Sequence, residues 1–390
     1  MEFDFDRVID RRGTYSTKYN HAAHGIPDDT LPMWVADMDF QAPPCVNDAL
    51  EERLRHGIYG YSGVDAGYFD VLQGWYERRF GWKANREWLV VTQGVVNAIY
   101  IAVRALTEPG DGVLVQQPVY YPFMSAIEDT GRRLLINELE YCNGRYGVDF
   151  DDFEKKIKQA KMFILCSPHN PVGRVWTHGE LAQMGDICMR HGVVVVSDEI
   201  HQDFVYPGHR HTVFAGIDPQ LADMTVTCTA PSKTFNIAGL PLSNIFIPNR
   251  GLHKKFMREY TSCGLGQPGV MSIIACKAAY EGGEEWLEEL LLYLNGNMSL
   301  VREFSQARCP KIRLVEPEGT YLAWLDCSGL GMSTHDLDEI ILQKAKLWLV
   351  KGGAFGSSGA GFQRMNIACP RPVLREGLAR LQFGCDSRRD

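Results

Sequence analysis

No stretch of this 390-residue chain stays apolar for the ~20 residues that a helix needs to cross a bilayer. Runs such as Val193–Val196 and Leu290–Leu292 are far shorter, and the opening MEFDFDRVIDRR has no apolar signal core. The 11 cysteines are scattered, odd in number and without a C-x-x-C pair. Neither a disulfide framework nor a zinc knuckle is expected, and the thiols read as reduced and mostly buried. The pairs His21/His24 and His209/His211 have no acidic or thiol residue at ligand spacing, so they read as loop histidines and no metal is expected. Long runs of one charge sign are also missing, and the net charge of -8 argues against nucleic acid or an anionic membrane as the partner. With no repeat and no low-complexity segment, the expectation is a cytoplasmic protein that handles small molecules.

What is present suits a large globular chain: 45% hydrophobic and 23% charged residues can bury a substantial core, and the length favours one large domain plus a smaller one. Residues 1–43 are rich in turn formers and read as an arm. Helical spacing of Val46, Ala49, Leu50 and Leu54 predicts a helix over Pro44–Arg55, broken by Tyr59-Gly60-Tyr61-Ser62-Gly63, and Gly67–Phe80 is again amphipathic. Strands are predicted at Trp88–Thr92, Gly112–Gln116, Arg133–Leu139, Met162–Cys166, Val193–Ser197, Met224–Cys228 and Asn244–Pro248, separated by helix-length segments such as Val95–Leu106 and Phe123–Thr130. This is an α/β pattern with a mostly parallel seven-stranded sheet flanked by helices, whose ligand belongs beyond the carboxyl ends of the strands. Gly282-Gly283 precedes a long helix from Glu284 to about Ser305. Strands at Leu314–Glu316, Tyr321–Asp326 and Leu347–Val350 and helices at His335–Ala345 and Pro372–Gln382 then predict a smaller α+β domain. The division is 1–43 as arm, 44–283 as large domain and 284–390 as small domain, with the arm joining the last.

The unusual residues stand at the ends of the predicted strands. Trp88–Thr92 runs into Gln93-Gly94-Val95-Val96 and a helix, where free backbone N–H groups could cup a phosphate, or the glycine could simply make a tight turn. After Met162–Cys166 comes Ser167-Pro168-His169-Asn170-Pro171-Val172-Gly173, a turn that presents the Asn170 amide. Asp198 ends a wholly apolar strand. Either it caps a helix or it is desolvated and needs a cation such as a protonated ring nitrogen. Lys233 follows Met224–Cys228 among small and apolar neighbours, a setting that depresses an amine and suits Schiff-base chemistry, unless it is a surface lysine.

Gly94, Tyr120, Asn170-Pro171-x-Gly173, Asp198-x-x-His201 and Ser232-Lys233 together resemble, in order and separation, the fold-type I pyridoxal-phosphate enzymes of the aspartate aminotransferase superfamily. The resemblance narrows at Leu31-Pro-Met-Trp-Val-Ala-Asp-Met-Asp-Phe40, Tyr59-Gly-Tyr-Ser62, Pro118-Val-Tyr-Tyr-Pro122, Asp198-Glu-Ile-His201 and Ala230-Pro-Ser-Lys-Thr-Phe-Asn-Ile-Ala-Gly239, which look like the MalY/PatB group of cystathionine β-lyases, or cysteine C–S lyases. It implies pyridoxal 5'-phosphate carried by Lys233, which also serves as base at the substrate α-carbon. Asp198 would pair with the ring nitrogen, Asn170 and, by analogy of position, His201 would bond the ring hydroxyl oxygen, and Tyr120 would stack on the ring; a packing role for His201 stays open. Gly94, Val95, Val96 and Ser232 would hold the phosphate, with Tyr61 reaching it from a second subunit of a homodimer. Arg364, in Gly361-Phe-Gln-Arg-Met-Asn-Ile-Ala-Cys-Pro-Arg371, would grip the substrate carboxylate, helped by Asn170 and the Ala36 N–H, and Tyr121 would face the substrate. No cysteine falls in the matched site.

One place departs from the pattern: where many relatives carry a basic phosphate ligand this chain has Pro241, which removes a charge-assisted contact of roughly 1.5–3 kcal/mol. The implied reaction is cleavage of L-cystathionine or another S-substituted cysteine to a thiol, pyruvate and ammonia. An aminotransferase is the nearest alternative, and a regulator that binds a transcription factor is the alternative outside enzymes.

Overall fold

The computed structural model describes residues 3–386. The arm is built of turns until Leu31–Pro32, a short strand (β1), and the helix Pro44–His56 follows it. The central sheet has eight strands: Leu89–Thr92 (β2), Gly112–Gln117 (β3), Arg133–Cys142 (β4), Arg145–Val148 (β5), Ala160–Cys166 (β6), Val194–Asp198 (β7), Thr225–Thr229 (β8) and Ser243–Phe246 (β9), in the order β2-β9-β8-β7-β6-β3-β4-β5. Only β5 and β9 run against the others, so the sheet is mostly parallel as expected.

The expectation of seven strands is corrected to eight. β4 continues past Leu139 and returns as β5 through Asn143-Gly144, both at positive φ (51° and 81°), a hairpin turn that only such residues adopt readily. The Asn-Gly pair is the signal for this hairpin in the sequence, and it is masked because β4 becomes polar and exposed beyond Leu139, which breaks the apolar run.

Alternation along the buried strands feeds a core on each face. Val113 and Val115 of β3 pack with Ala98, Ile99 and Ala102 of the helix Val95–Leu106, whereas Leu114 packs with Leu181 and Met184 of the helix His178–His191. The long helix spans Glu284–Ala307. Beyond it, Arg313–Leu314 (β10), Leu322–Asp326 (β11), Leu347–Trp348 (β12), Val350–Lys351 (β13) and Phe362–Asn366 (β14) complete the strands. β10, β11, β14 and β13 form one antiparallel sheet in that order, and β12 pairs in parallel with β1, which fastens the arm to the C-terminal part. β14 was not anticipated. Its polar Gln363, Arg364 and Asn366 hide a strand that is buried between β11 and β13 and under the arm.

A buried cation joins the two sheets. Arg174, one residue past the Asn170–Gly173 turn, is 1% exposed and lies over the Trp176 ring at 4.6 Å. It pairs with Glu318 at 2.8 Å and with Glu180 at 2.8 Å. Glu318 lies just before β11, and Gly173 accepts the amides of Glu318 and Gly319. Arg174→Ala leaves the buried Glu318 with only the Arg145 guanidinium at 2.9 Å, and urea unfolding is expected to record a loss of up to about 3 kcal/mol.

Candidate active site

The carboxyl ends of β2, β6, β7 and β8 and the loop after β3 open onto one cavity of about 210 Å³. Ala36, Gly94, Val95, Val96, Tyr120, Asn170, Asp198, His201, Ser232 and Lys233 all line it, so residues spread over nearly two hundred positions meet at one place.

Each is held by a local reason. The helix Val95–Leu106 starts at Gly94, whose φ of 116° is open to glycine, and no side chain caps its first amides, which leaves the Val95 and Val96 N–H groups at the cavity. The Asn170 turn is pinned by His169, whose ring Nε2 meets the Pro118 carbonyl at 2.8 Å, and by the Trp176 indole donating to the Cys166 carbonyl at 3.0 Å. Burial lowers His169 to about 4, so its ring is neutral and Nε2–H donates. The turn that carries Lys233, Pro231–Thr234, is anchored by the Thr234 hydroxyl donating to Asp203 at 2.8 Å, and Asp203 pairs with Arg79 at 3.0 Å.

Asp198 is the most demanding group. It is 4% exposed, accepts the Ile200 amide at 3.1 Å, and has no ion-pair partner among the described residues. Burial raises its carboxyl to about 7 against the pull of the Ile200 amide; Glu199 adds to the rise and Lys233 opposes it. Its neighbours in register on β6 and β8 are Cys166 and Cys228, which offer it little polarity. Such a carboxylate calls for a protonated partner inside the cavity.

The Lys233 amine donates to the Ala36 carbonyl at 2.7 Å, and the Tyr321 hydroxyl donates to the same oxygen at 3.1 Å. Burial lowers the amine to about 8, with Asp37 opposing, Arg364 adding and Asp198 opposing. The Ala36 carbonyl is thus engaged from two sides, a contact additional to the task expected of the Ala36 N–H. Arg364 is buried on β14 at the cavity's edge; it donates to Asn170 Oδ1 at 3.0 Å and to the Trp34 carbonyl at 2.9 Å, and lies over Phe355 at 4.9 Å. Burial lowers it only to about 10, so it remains a cation at neutral pH, and its buried Nε has no acceptor among the described residues. His201 is buried and lowered to about 3 by burial, Lys233 and Arg364, and its Nδ1 also has no partner among the described residues.

These groups fit pyridoxal phosphate. A protonated ring nitrogen would answer Asp198, a phosphate the uncapped helix start and Ser232, an aldehyde Lys233, and a carboxylate on a bound amino acid Arg364. Pro241 is exposed and outside the cavity.

Two expected residues stand apart. Tyr121 is 44% exposed beside Tyr120, with ring centroids 5.3 Å apart, and does not line the cavity. Tyr61 is fully exposed and also outside it. Other residues were missed. Cys166 lines the cavity, which corrects the expectation that no cysteine falls there; its thiol is raised by burial and by Asp198, so it is an inert wall. Tyr321 reads in sequence as one more apolar strand residue, and nothing in its neighbours signals the hydroxyl's target. His211 is no surface loop residue either: it is buried against Glu199 at 2.8 Å.

Residues 37–381 match the family model for aminotransferase class I and II. The chain is 45% identical over 383 residues to cystathionine β-lyase PatB of Bacillus subtilis, covering 97% of this chain and 99% of that one. Among solved structures it superposes on cystalysin from Treponema denticola, which contains a pyridoxal 5'-phosphate cofactor, with a TM-score of 0.96 and 38% identity over 100% of both chains. It also superposes on a pyridoxal-phosphate-bound C–S lyase from Staphylococcus hominis, with a TM-score of 0.93 and 34% identity over 98% of each.

The raised Asp198 carboxyl has a stability consequence. Between the unfolded carboxyl's ordinary value and about 7 the unfolded chain has lost this proton while the folded chain keeps it, so Asp198 lowers stability as pH rises through that window. Asp198→Asn in the cofactor-free protein is expected to be more stable than wild type at pH 8, by the order of 1–4 kcal/mol, and equal to it near pH 4, as read by denaturant titration at both pH values.

Proposed function

We propose that this chain, which belongs to the aminotransferase class I and II family, is a pyridoxal 5'-phosphate-dependent carbon–sulfur β-lyase that cleaves L-cystathionine or another S-substituted cysteine to a thiol, pyruvate and ammonia. The observation that carries this reading is the convergence of Lys233, Asp198 and Asn170 on one cavity, with Arg364 bonded to Asn170, in a chain 45% identical, over nearly its whole length, to a cystathionine β-lyase.

Pyridoxal phosphate supplies an electron sink for the pair left on the α-carbon when its proton departs. The residues of this chain do the rest. Asp198 would hold a proton at the ring nitrogen, Tyr120 would lie against the ring, and Asn170 and His201 would reach the ring oxygen. The amides of Val95 and Val96, with Gly94 and Ser232, would hold the phosphate. Arg364, with Asn170, would clamp the substrate carboxylate as a planar fork, which fixes the α-carbon beside Lys233, and Tyr121 would face the substrate. An amine near 8 is partly neutral at neutral pH, so Lys233 can take the α-proton. The thiolate then leaves from the β-carbon.

Tyr61, fully exposed beside Ile58 and Tyr59 at 65% and 56%, belongs in this reading to the phosphate site of a second copy in a homodimer. The division at residues 44 and 284 is part of the proposal, supported by the β1–β12 pairing that ties the arm to the C-terminal part. A cytoplasmic setting is supported by the ten described cysteines, all free thiols. No described helix is long and apolar enough to cross a membrane.

Incubation with L-cystathionine, with and without 2-oxoglutarate, separates the lyase from an aminotransferase. Pyruvate, ammonia and free thiol are expected without the oxo acid, and turnover that strictly requires it contradicts the lyase. Sharing of sites is read by mixing Lys233→Ala with Tyr61→Ala, each expected to be inactive alone. Subunit exchange is expected to restore about a quarter of wild-type activity, since half the dimers are mixed and each carries one intact site.

A further inference from the structure

The amine of Lys233 is held by the arm, not by its own turn. Its acceptor is the Ala36 carbonyl at 2.7 Å, and the next residue, Asp37, belongs to a network of two carboxylates and two cations. Arg11 donates to Asp37 at 3.2 and 2.6 Å, to Asp39 at 2.8 Å and to the Met38 carbonyl at 3.1 Å. Lys18, only 1% exposed, pairs with Asp39 at 2.7 Å and stands 3.9 Å from Asp37.

The segment carrying these carboxylates is clasped to both halves of the cavity. Asn236, three residues after Lys233 and at a φ of 55°, accepts the Met38 amide at 2.9 Å and donates to the carbonyls of Met38 (3.1 Å) and Phe40 (2.7 Å). From β14, Asn366 donates to the carbonyls of Val35 and Asp37, both at 2.6 Å, and Arg364 donates to that of Trp34. Segment 34–40 is therefore a fixed bridge, and charge placed on it cannot drift away from Lys233.

We propose that Arg11 and Asp37 are positioning residues for the reaction: Arg11 balances Asp37, and this pair sets both the place and the charge environment of the Lys233 amine. The inference rests on the reading of Lys233 as the acting lysine. The charged groups that act on the amine are Asp37 from the arm, Asp198 from β7 and Arg364 from β14, while the neutral His201 and Tyr120 line the same cavity and the Tyr321 hydroxyl shares the Ala36 carbonyl. Asp198 and Arg364 oppose each other in charge and are committed to ligands, which leaves the arm pair as the adjustable element. An Asp37 left with only Lys18, 3.9 Å away and paired to Asp39 at 2.7 Å, would favour the ammonium form, and removal of Asp37 would favour the free amine.

The test titrates the Lys233 amine in the full-length protein freed of cofactor, from the pH dependence of pulsed acylation read by mass spectrometry on the peptide that contains Lys233. This readout needs no turnover, so it stands apart from the success of the lyase assay. Arg11→Gln is expected to raise the midpoint by ~0.5 pH unit or more, and Asp37→Asn to lower it by as much. Simple loosening of the arm would admit water and raise the midpoint in both variants, because burial is what depresses this amine. Shifts of the same sign, or a smaller shift in either variant, overturn the proposal. Circular dichroism monitors folding. If Arg11→Gln does not fold, Arg11→Lys replaces it: it retains the charge and is expected to keep the wild-type midpoint within ~0.3 unit, and a larger displacement overturns the proposal.

Discussion

A carboxylate buried at the end of an apolar strand without a cation is the constraint on which this molecule turns. Asp198 is buried with Cys166 and Cys228 as its neighbours in register, and it accepts one amide. Folding therefore leaves a cost in the cavity that a protonated ring nitrogen would offset, which would account for so costly a group at the centre of an otherwise well-packed sheet. The surrounding architecture serves that point. The parallel strands bring their carboxyl ends to one rim, and the loops after β2, β6 and β8 deliver an uncapped helix start, an amide and an amine within one small cavity.

The second constraint is where the amine rests. Lys233 leaves one sheet, its hydrogen-bond acceptor comes from the arm, and the cation that would grip a substrate carboxylate comes from β14 of the other sheet. Arg364 in turn touches both Asn170 and Trp34. The arm is thus the common surface on which the halves meet, and the buried Arg174–Glu318 pair fixes the same junction from the far side. Catalysis in this account is mostly placement: burial keeps the amine near 8, and fixed carbonyls keep it aimed.

Much of the fold was legible because apolar strands buried on both faces announce themselves. Val193–Val196 could hardly be anything else, and Gly94, Asn170, Asp198 and Lys233 stand out by ending such runs. What stayed hidden was structure made by polar residues. β14 reads Phe-Gln-Arg-Met-Asn, and it is a strand because neighbours on both edges and an arm above it satisfy its side chains. Tyr321 and Asp37 were missed for the same reason: their roles depend on which backbone carbonyl or distant guanidinium lies opposite, and no local spacing encodes that. Cys166 was overlooked because a buried thiol at a strand end looks like core, and in packing terms it is core.

The central claim is that these strand ends hold pyridoxal phosphate on one particular amine. Reduction of the purified protein with borohydride, followed by mass spectrometry of its peptides, tests this most directly. The account predicts a single phosphopyridoxyl adduct, on the peptide that contains Lys233 and at that residue. An unmodified Lys233, or an adduct confined to another lysine, would contradict it.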